Sequence, residues 1–161
     1  SLRLVEHHAA VVTAVKERCP HLFVNARTDT HWPVPGRTAP DLDETLRRVQ
    51  AYVAAGADSV FVPGIIEPEA LRTIVAAVPG VPVNALWSPT GPSVAQLGQL
   101  GVRRVSLGSL LFRVGLGAAA DAAEAVSTGA DVPIPDHLPS YAEIQDASQS
   151  PALSEPSPAA S

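Results

Sequence analysis

Cysteine occurs once, at Cys19, so no disulfide can close within the chain. Long apolar runs are missing too, and nothing approaches the ~18 consecutive apolar residues of a membrane-spanning helix. Charged residues make up only 17% of the sequence, and they are unevenly spread. Residues 131–161 contain no Lys or Arg, yet hold five of the 16 acids: Asp131, Asp136, Glu143, Asp146 and Glu155. The other 11 acids face 11 bases in residues 1–130, so the body is neutral and the net charge of −5 sits in the tail. A neutral body with scattered arginines lacks the basic stripe of a nucleic-acid binder. The opening residues, Ser1 to His8, lack the basic segment and apolar stretch of a signal peptide. The expectation is a cytoplasmic protein with neither a nucleic-acid nor a membrane partner.

What is present is a globular composition, 46% hydrophobic, in a chain long enough to bury one core. Apolar runs and helical stripes alternate along it. Val5, Ala9, Val12 and Val15 recur at helical spacing ahead of Pro20. Leu22 to Ala26 reads as a strand. Asp41 with Glu44 three residues on reads as a capping box opening a helix, with Leu42, Leu46, Val49 and Val53 as its stripe and Gly56 as its stop. Ser59 to Pro63 reads as a second strand. Pro68 starts a helix carrying Leu71, Ile74, Val75 and Val78. Val81 to Leu86 is a third strand, Ser93 and Gln96 suggest another capping box, and Val102 to Leu107 is a fourth strand. A last helix is expected from about Ser109 to Ser127.

Strand–helix alternation predicts a parallel sheet with right-handed crossovers. The strands read as continuously apolar, as when both faces are covered. The expected fold class is α/β with four parallel strand–helix units, either a small open sheet or half of a (β/α)8 barrel, which needs eight strands. A half barrel would expose two sheet edges and an apolar inner face, so a dimer or larger assembly is expected. Residues 1–130 form this body. Residues 131–161, with six prolines and many serines, are expected to be an extended, largely disordered acidic tail, unstructured from about Gln145.

In parallel α/β folds, ligands bind beyond the carboxyl ends of the strands. The residues there are Asn25-Ala26-Arg27-Thr28-Asp29, Pro63-Gly64, Asn84 to Ser88 and Gly108-Ser109. Arg27 can grip a carboxylate or phosphoryl group with two parallel N–H bonds, or else pair with Asp29. Asp29 is read foremost as the partner that holds Arg27, with a metal-ligand or base role as alternatives. Asn84 can donate to a substrate oxygen or cap the strand end. Gly108-Ser109 before a helix suits tight packing, or an anion. His31 and Trp32 lie in an insertion running to Pro40, read as a lid or a plain surface loop. His7, His8, His21 and His137 are expected to be solvent-facing or structural, and Arg47-Arg48 a solvated helix face. No complete metal site is legible: Asp29 and Glu67 are the acids near strand ends. Ser88, Ser106 and Ser109 have no histidine placed by a motif to activate them.

The run Phe23-Val24-Asn25-Ala26-Arg27-Thr28-Asp29 resembles the fifth strand of the isocitrate lyase/phosphoenolpyruvate mutase superfamily. Ala54 to Gly64, Val81 to Asn84 and Leu100 to Gly108 agree with it in order and spacing, and the resemblance covers about residues 4–128. It implies the C-terminal half of a (β/α)8 barrel, with strands matching five to eight. It also implies Mg²⁺-dependent cleavage of C–C or P–C bonds, or rearrangement of phosphoenolpyruvate, through a pyruvate-type enolate. Arg27 matches the arginine that grips the substrate's carboxylate or phosphonate. Asn84 matches a position near the substrate, with Asn25 and Asp29 in support. Family members are usually tetramers that exchange a C-terminal helix.

The metal-binding aspartates, the Asn-(Ile/Leu)-Glu-Asp motif and the gating loop belong to the first four strands of the family and have no counterpart here. Pro63-Gly64 stands where methylisocitrate lyases carry a glutamate, which argues against a dicarboxylate lyase of that type. The expectation is therefore a half-enzyme, inactive alone, that works with a partner supplying the N-terminal half-barrel. Its alternatives are a non-catalytic remnant that binds small anions or a complete homologue, and an unrelated α/β domain holding phosphate at Gly108-Ser109.

Overall fold

The computed structural model describes residues 2–33 and 41–149. Helix α1 spans Val5–Arg18, and strand β1 (Asn25–Arg27) follows it. Then come α2 (Leu42–Ala54), β2 (Ser59–Phe61), α3 (Pro68–Ala77), β3 (Val83–Leu86), α4 (Val94–Gln99) and β4 (Arg104–Ser106). The last helices are α5 (Leu110–Thr128) and α6 (Tyr141–Gln149). The strands form one parallel sheet in the order β1-β2-β3-β4. Each expected strand forms, but shorter, and β1 starts three residues after Leu22. Leu22 and Phe23 lie outside the sheet and are 50% and 57% exposed.

The chain divides into two compact units, Ser1–Leu111 and Phe112–Ser161. The first holds the core. Val49, Val60, Val62, Ile65, Leu71, Ile74, Val83, Ala85 and Leu97 are buried together between sheet and helices. A smaller cluster joins Val5, Val12, Ala26, Tyr52 and Ala57. Successive strand residues face opposite ways. Ala26, Val60, Val83 and Ala85 therefore supply the helix-covered face. The other face carries Asn25, Arg27, Ser59, Phe61, Asn84, Leu86, Arg104 and Ser106. This corrects the expectation of continuously apolar strands and an apolar inner face. The apolar residues that lengthened those runs flank the strands, and within them polar side chains alternate with apolar ones.

Local signals explain most helix ends. Asp41 caps α2 by accepting from Glu44 N at 3.1 Å. The Glu44 carboxylate engages Arg47 and Arg48, so the pair is a cap with a diverted carboxylate. Ser93 and Gln96 do form a reciprocal box at α4. Asp58, which ends the run Gly56-Ala57-Asp58, braces the entry to β1. Its carboxylate accepts from Val24 N at 2.8 Å and from Lys16 Nζ at 2.9 Å. The Val24 amide and the Lys16 ammonium hold this carboxyl below its ordinary value of 3.8.

A carboxyl depressed in the fold stabilises it above the unfolded value, and that contribution is lost as pH falls through the folded value. The imidazole of His31 is lowered from 6.5 by burial, against the opposing pull of Glu67 and Asp41. Its proton is bound more readily by the unfolded chain, so stability also declines as pH drops through about 6.5. Thermal unfolding is expected to show two acid losses, one between about pH 7 and 5 and one below about pH 4. Asp58→Asn should shrink the second and cost roughly 1–2 kcal/mol at neutral pH, since the carboxylate is partly solvated. An unchanged acid limb in that variant contradicts the assignment.

The second unit contains most of α5 and α6. The unit boundary falls at Leu111, inside α5, whereas the sequence placed the body's end at residue 130. Ala125 is the buried residue of α5, so the helix builds little core of its own. The segment expected to be an extended tail carries α6. Ser140 and Glu143 form a reciprocal cap there, with Ser140 N donating to Glu143 Oε2 at 2.7 Å and Glu143 N to Ser140 Oγ at 3.3 Å. The tail beyond Gln149 and the insertion over 34–40 lie outside the described residues.

Candidate functional site

Arg27 closes β1, and its position follows from the register. It pairs with Phe61, which pairs with Asn84, which pairs with Arg104. The four residues run across the sheet in one row. Arg27 Nε donates to Asp29 Oδ1 at 2.6 Å. The guanidinium carbon sits 5.5 Å from the Trp32 ring centre and 5.6 Å from that of Phe61. Cation–π contact on two sides fixes the plane of the guanidinium. Among the described residues, Nη1 and Nη2 meet no protein acceptor, so the outer fork stays available for an oxyanion.

The loop after β1 is folded back over β2. Thr28 N donates to Phe61 O at 2.9 Å, and Trp32 N to Asp29 O at 3.1 Å. Gly64, at φ +90, allows this: a Cβ there would stand 2.3 Å from the His31 carbonyl oxygen. His31 and Trp32 thus pack against the end of β2, and Trp32 reaches Arg27.

The structure brings Arg27 and Asp29 together but gives Asn84 another partner. Asn84 is 2% exposed; its Nδ2 lies 3.0 Å and its Oδ1 3.1 Å from Ser106 Oγ. Phe61 lies between Asn84 and Arg27 in the row. Asn25 Oδ1, on the same face, is buried with no hydrogen-bond partner among the described residues. Glu67 is exposed at the start of α3, and Gly108 and Ser109 are exposed ahead of α5.

Arg48 differs from its sequence reading, while His8 takes the structural one of its two alternatives. Arg48 is 5% exposed, not part of a solvated face as Arg47 is. His8 is half-buried with its ring 4.4 Å from that of Tyr52. Burial first, then Arg48 and Arg3, hold His8 below its ordinary imidazole value. The signal for Arg48 was its place on α2. It stands one residue before Val49 and four before Tyr52, on the edge of the buried stripe.

Among the described residues, no group of three or more His, Cys, Asp or Glu is placed to hold a metal ion. The Asp29 carboxylate is engaged by Arg27. The described residues therefore do not by themselves fit a Mg²⁺ site. No helix among the described residues is long and apolar enough to cross a membrane.

Four parallel strand–helix units, with polar side chains gathered at the carboxyl ends of the strands, define half of a (β/α)8-barrel architecture. The profile of the phosphoenolpyruvate phosphomutase family matches residues 1–127, and the chain belongs to that family. An uncharacterized protein of Mycobacterium tuberculosis is 47% identical over 137 residues, covering 85% of this chain and 50% of that protein. A lyase/mutase candidate from Burkholderia cenocepacia superposes with a TM-score of 0.77 at 29% identity, covering 92% of this chain and 54% of the other. Phosphonopyruvate hydrolase, solved with oxalate and Mg²⁺, superposes with a TM-score of 0.66 at 25% identity, covering 89% and 52%. The chain spans about half the length of the Mycobacterium relative and of both solved structures.

Proposed function

We propose that this chain supplies the substrate-gripping side of a lyase or mutase acting on 2-oxo acids or phosphonates, cleaving C–C or P–C bonds through a pyruvate-type enolate. The observation that carries the reading is the outer fork of Arg27, steadied by Asp29 and two aromatic faces at a strand's carboxyl end. Such a fork matches two oxygens of a carboxylate or phosphonate. Asn84 offers its remaining amide hydrogen as a second contact, with its orientation set by Ser106, and Asn25 supports from the same face of the sheet on β1. Mg²⁺ would supply charge stabilisation to an enolate. Its ligands would have to come from outside the described residues, from a partner or a longer form of the protein bearing the other half-barrel. This chain alone is then expected to bind but not to turn over, in a cytoplasmic setting.

Calorimetric titration with oxalate, which mimics a pyruvate enolate, tests the reading, with and without Mg²⁺. Saturable oxalate binding supports it, and no binding under either condition sinks it. 2-Oxo acid release that appears only when an N-terminal half is added would separate the half-enzyme from a non-catalytic anion binder.

Helix α5 favours association, with itself or with a complete homologue. Phe112 is 72% exposed and Leu116 59%. A monomer rarely exposes so much contiguous apolar surface. In sedimentation the wild type is expected as a dimer or larger, and Phe112→Ser combined with Leu116→Ser should shift it to a smaller species. A monomeric wild type would end this part of the reading.

A further inference from the structure

A cavity of about 340 Å³ opens where the start of α1, the end of β1 and the middle of α2 meet. Arg3, His8, Arg27, Thr28, Arg48 and Tyr52 are among its lining residues. Its composition is unusual in three ways. Arg48 is a buried cation, and its protein partners are Glu44, at 2.7 Å from Nε, and the Tyr52 hydroxyl, at 3.3 Å from Nη1. Among the described residues, its Nη2 has no acceptor. Thr28 is 3% exposed, and its Oγ1 is buried without a hydrogen-bond partner. The charged form of His8 is disfavoured by burial first and then by Arg48 and Arg3, against the opposing pull of Asp29.

Buried donors are normally satisfied, and a buried guanidinium is costly unless its N–H groups are used. Three arginines converge on this cavity, against Asp29 on its wall and Glu44 beside Arg48. The donor set, guanidinium forks with a hydroxyl, is that of an oxyanion site. The volume is at the small end of ligand pockets.

We propose that this cavity binds a small doubly charged oxyanion, a phosphate or a dicarboxylate, through Arg3, Arg48 and Thr28. It is a second anion site, built on Arg3, Arg48 and Thr28, and Arg27 and Asp29 line the same cavity. It does not depend on the function proposed for Arg27.

The test follows the His8 ring-proton signal by NMR in the full chain, assigned through His8→Gln. The probes are inorganic phosphate and malonate, against chloride at matched ionic strength. The expected result is a saturable His8 shift with at least one probe and none with chloride. Arg3→Gln, at an exposed position, should weaken that response at least fivefold while leaving the circular dichroism unchanged. Thr28→Val should weaken it as well. The probe that binds more tightly identifies the oxyanion. No saturable shift with either probe overturns the proposal, as does an Arg3→Gln response equal to wild type. Because oxalate is itself a dicarboxylate and Arg27 lines the same cavity, variants separate the two readings. Arg27→Ala should leave the His8 response to phosphate or malonate within about twofold of wild type, and Arg3→Gln should leave intact the oxalate binding that Arg27→Ala removes. A His8 response lost in Arg27→Ala overturns the second site.

Discussion

Titrated with oxalate, Arg27→Ala should bind at least tenfold and up to ~100-fold more weakly than wild type, about 1.5–3 kcal/mol for the lost charge-assisted bonds. The fold should survive, because Arg27 is an exposed residue whose ion pair with Asp29 is itself partly solvated. Arg27→Lys separates charge from geometry. It keeps the cation but loses the planar fork and the Nε bond to Asp29, so it should recover only a part of the affinity. Asp29→Asn should fall between Arg27→Lys and wild type, since it loosens the orientation without removing the fork. If Arg27→Ala binds oxalate as wild type does, the site lies elsewhere. If Arg27→Lys is as good as wild type, only charge is being read.

Gly64→Ala should be the most damaging alanine substitution among the described glycines. The new Cβ would meet the His31 carbonyl oxygen at 2.3 Å, the His31 carbonyl carbon at 2.9 Å and Trp32 Cα at 3.3 Å. All are backbone atoms, so no side chain can swing away. The φ of +90 adds a conformational penalty for any residue with a Cβ. Denaturant unfolding is expected to show a loss of roughly 2–4 kcal/mol. The loop must lift to relieve the clash, and Trp32 then leaves Arg27. In a Trp87→Phe background, the emission of Trp32 should shift to the red, and oxalate affinity should fall although Gly64 is not among the contacts of Arg27. Gly80→Ala is the control. Its φ is +80, but a Cβ there has nothing within 4 Å, so only the conformational cost of about 1 kcal/mol remains. Equal losses at the two positions would mean that the His31 contact is not what Gly64 protects.

The order of strands and helices was legible in the sequence because each element carries its own local signal. Asp41 and Ser93 mark helix starts, Gly56 marks an end, and stripes such as Leu71, Ile74 and Val78 face the core. Arg27 was legible for the same reason: a parallel sheet presents its strand ends to ligands, and a strand's last residue can be counted. The cap at Ser140 was equally local, with Glu143 three residues on, and was hidden only by the prolines and serines around it.

The sequence placed Arg48 only at the edge of the buried stripe of α2, and its burial was decided in three dimensions, since Arg47 and Arg48 are identical in type and one helical step of rotation separates solvent from core. The Asn84–Ser106 pairing across 22 residues was not legible, nor was the seat of the His31 carbonyl against Gly64. Neighbouring residues and helical period fix which segments form and where they stop. Which buried donors are left unsatisfied, and so where an anion can bind, depends on side chains brought together from α1, β1 and α2, and only the tertiary structure decides that.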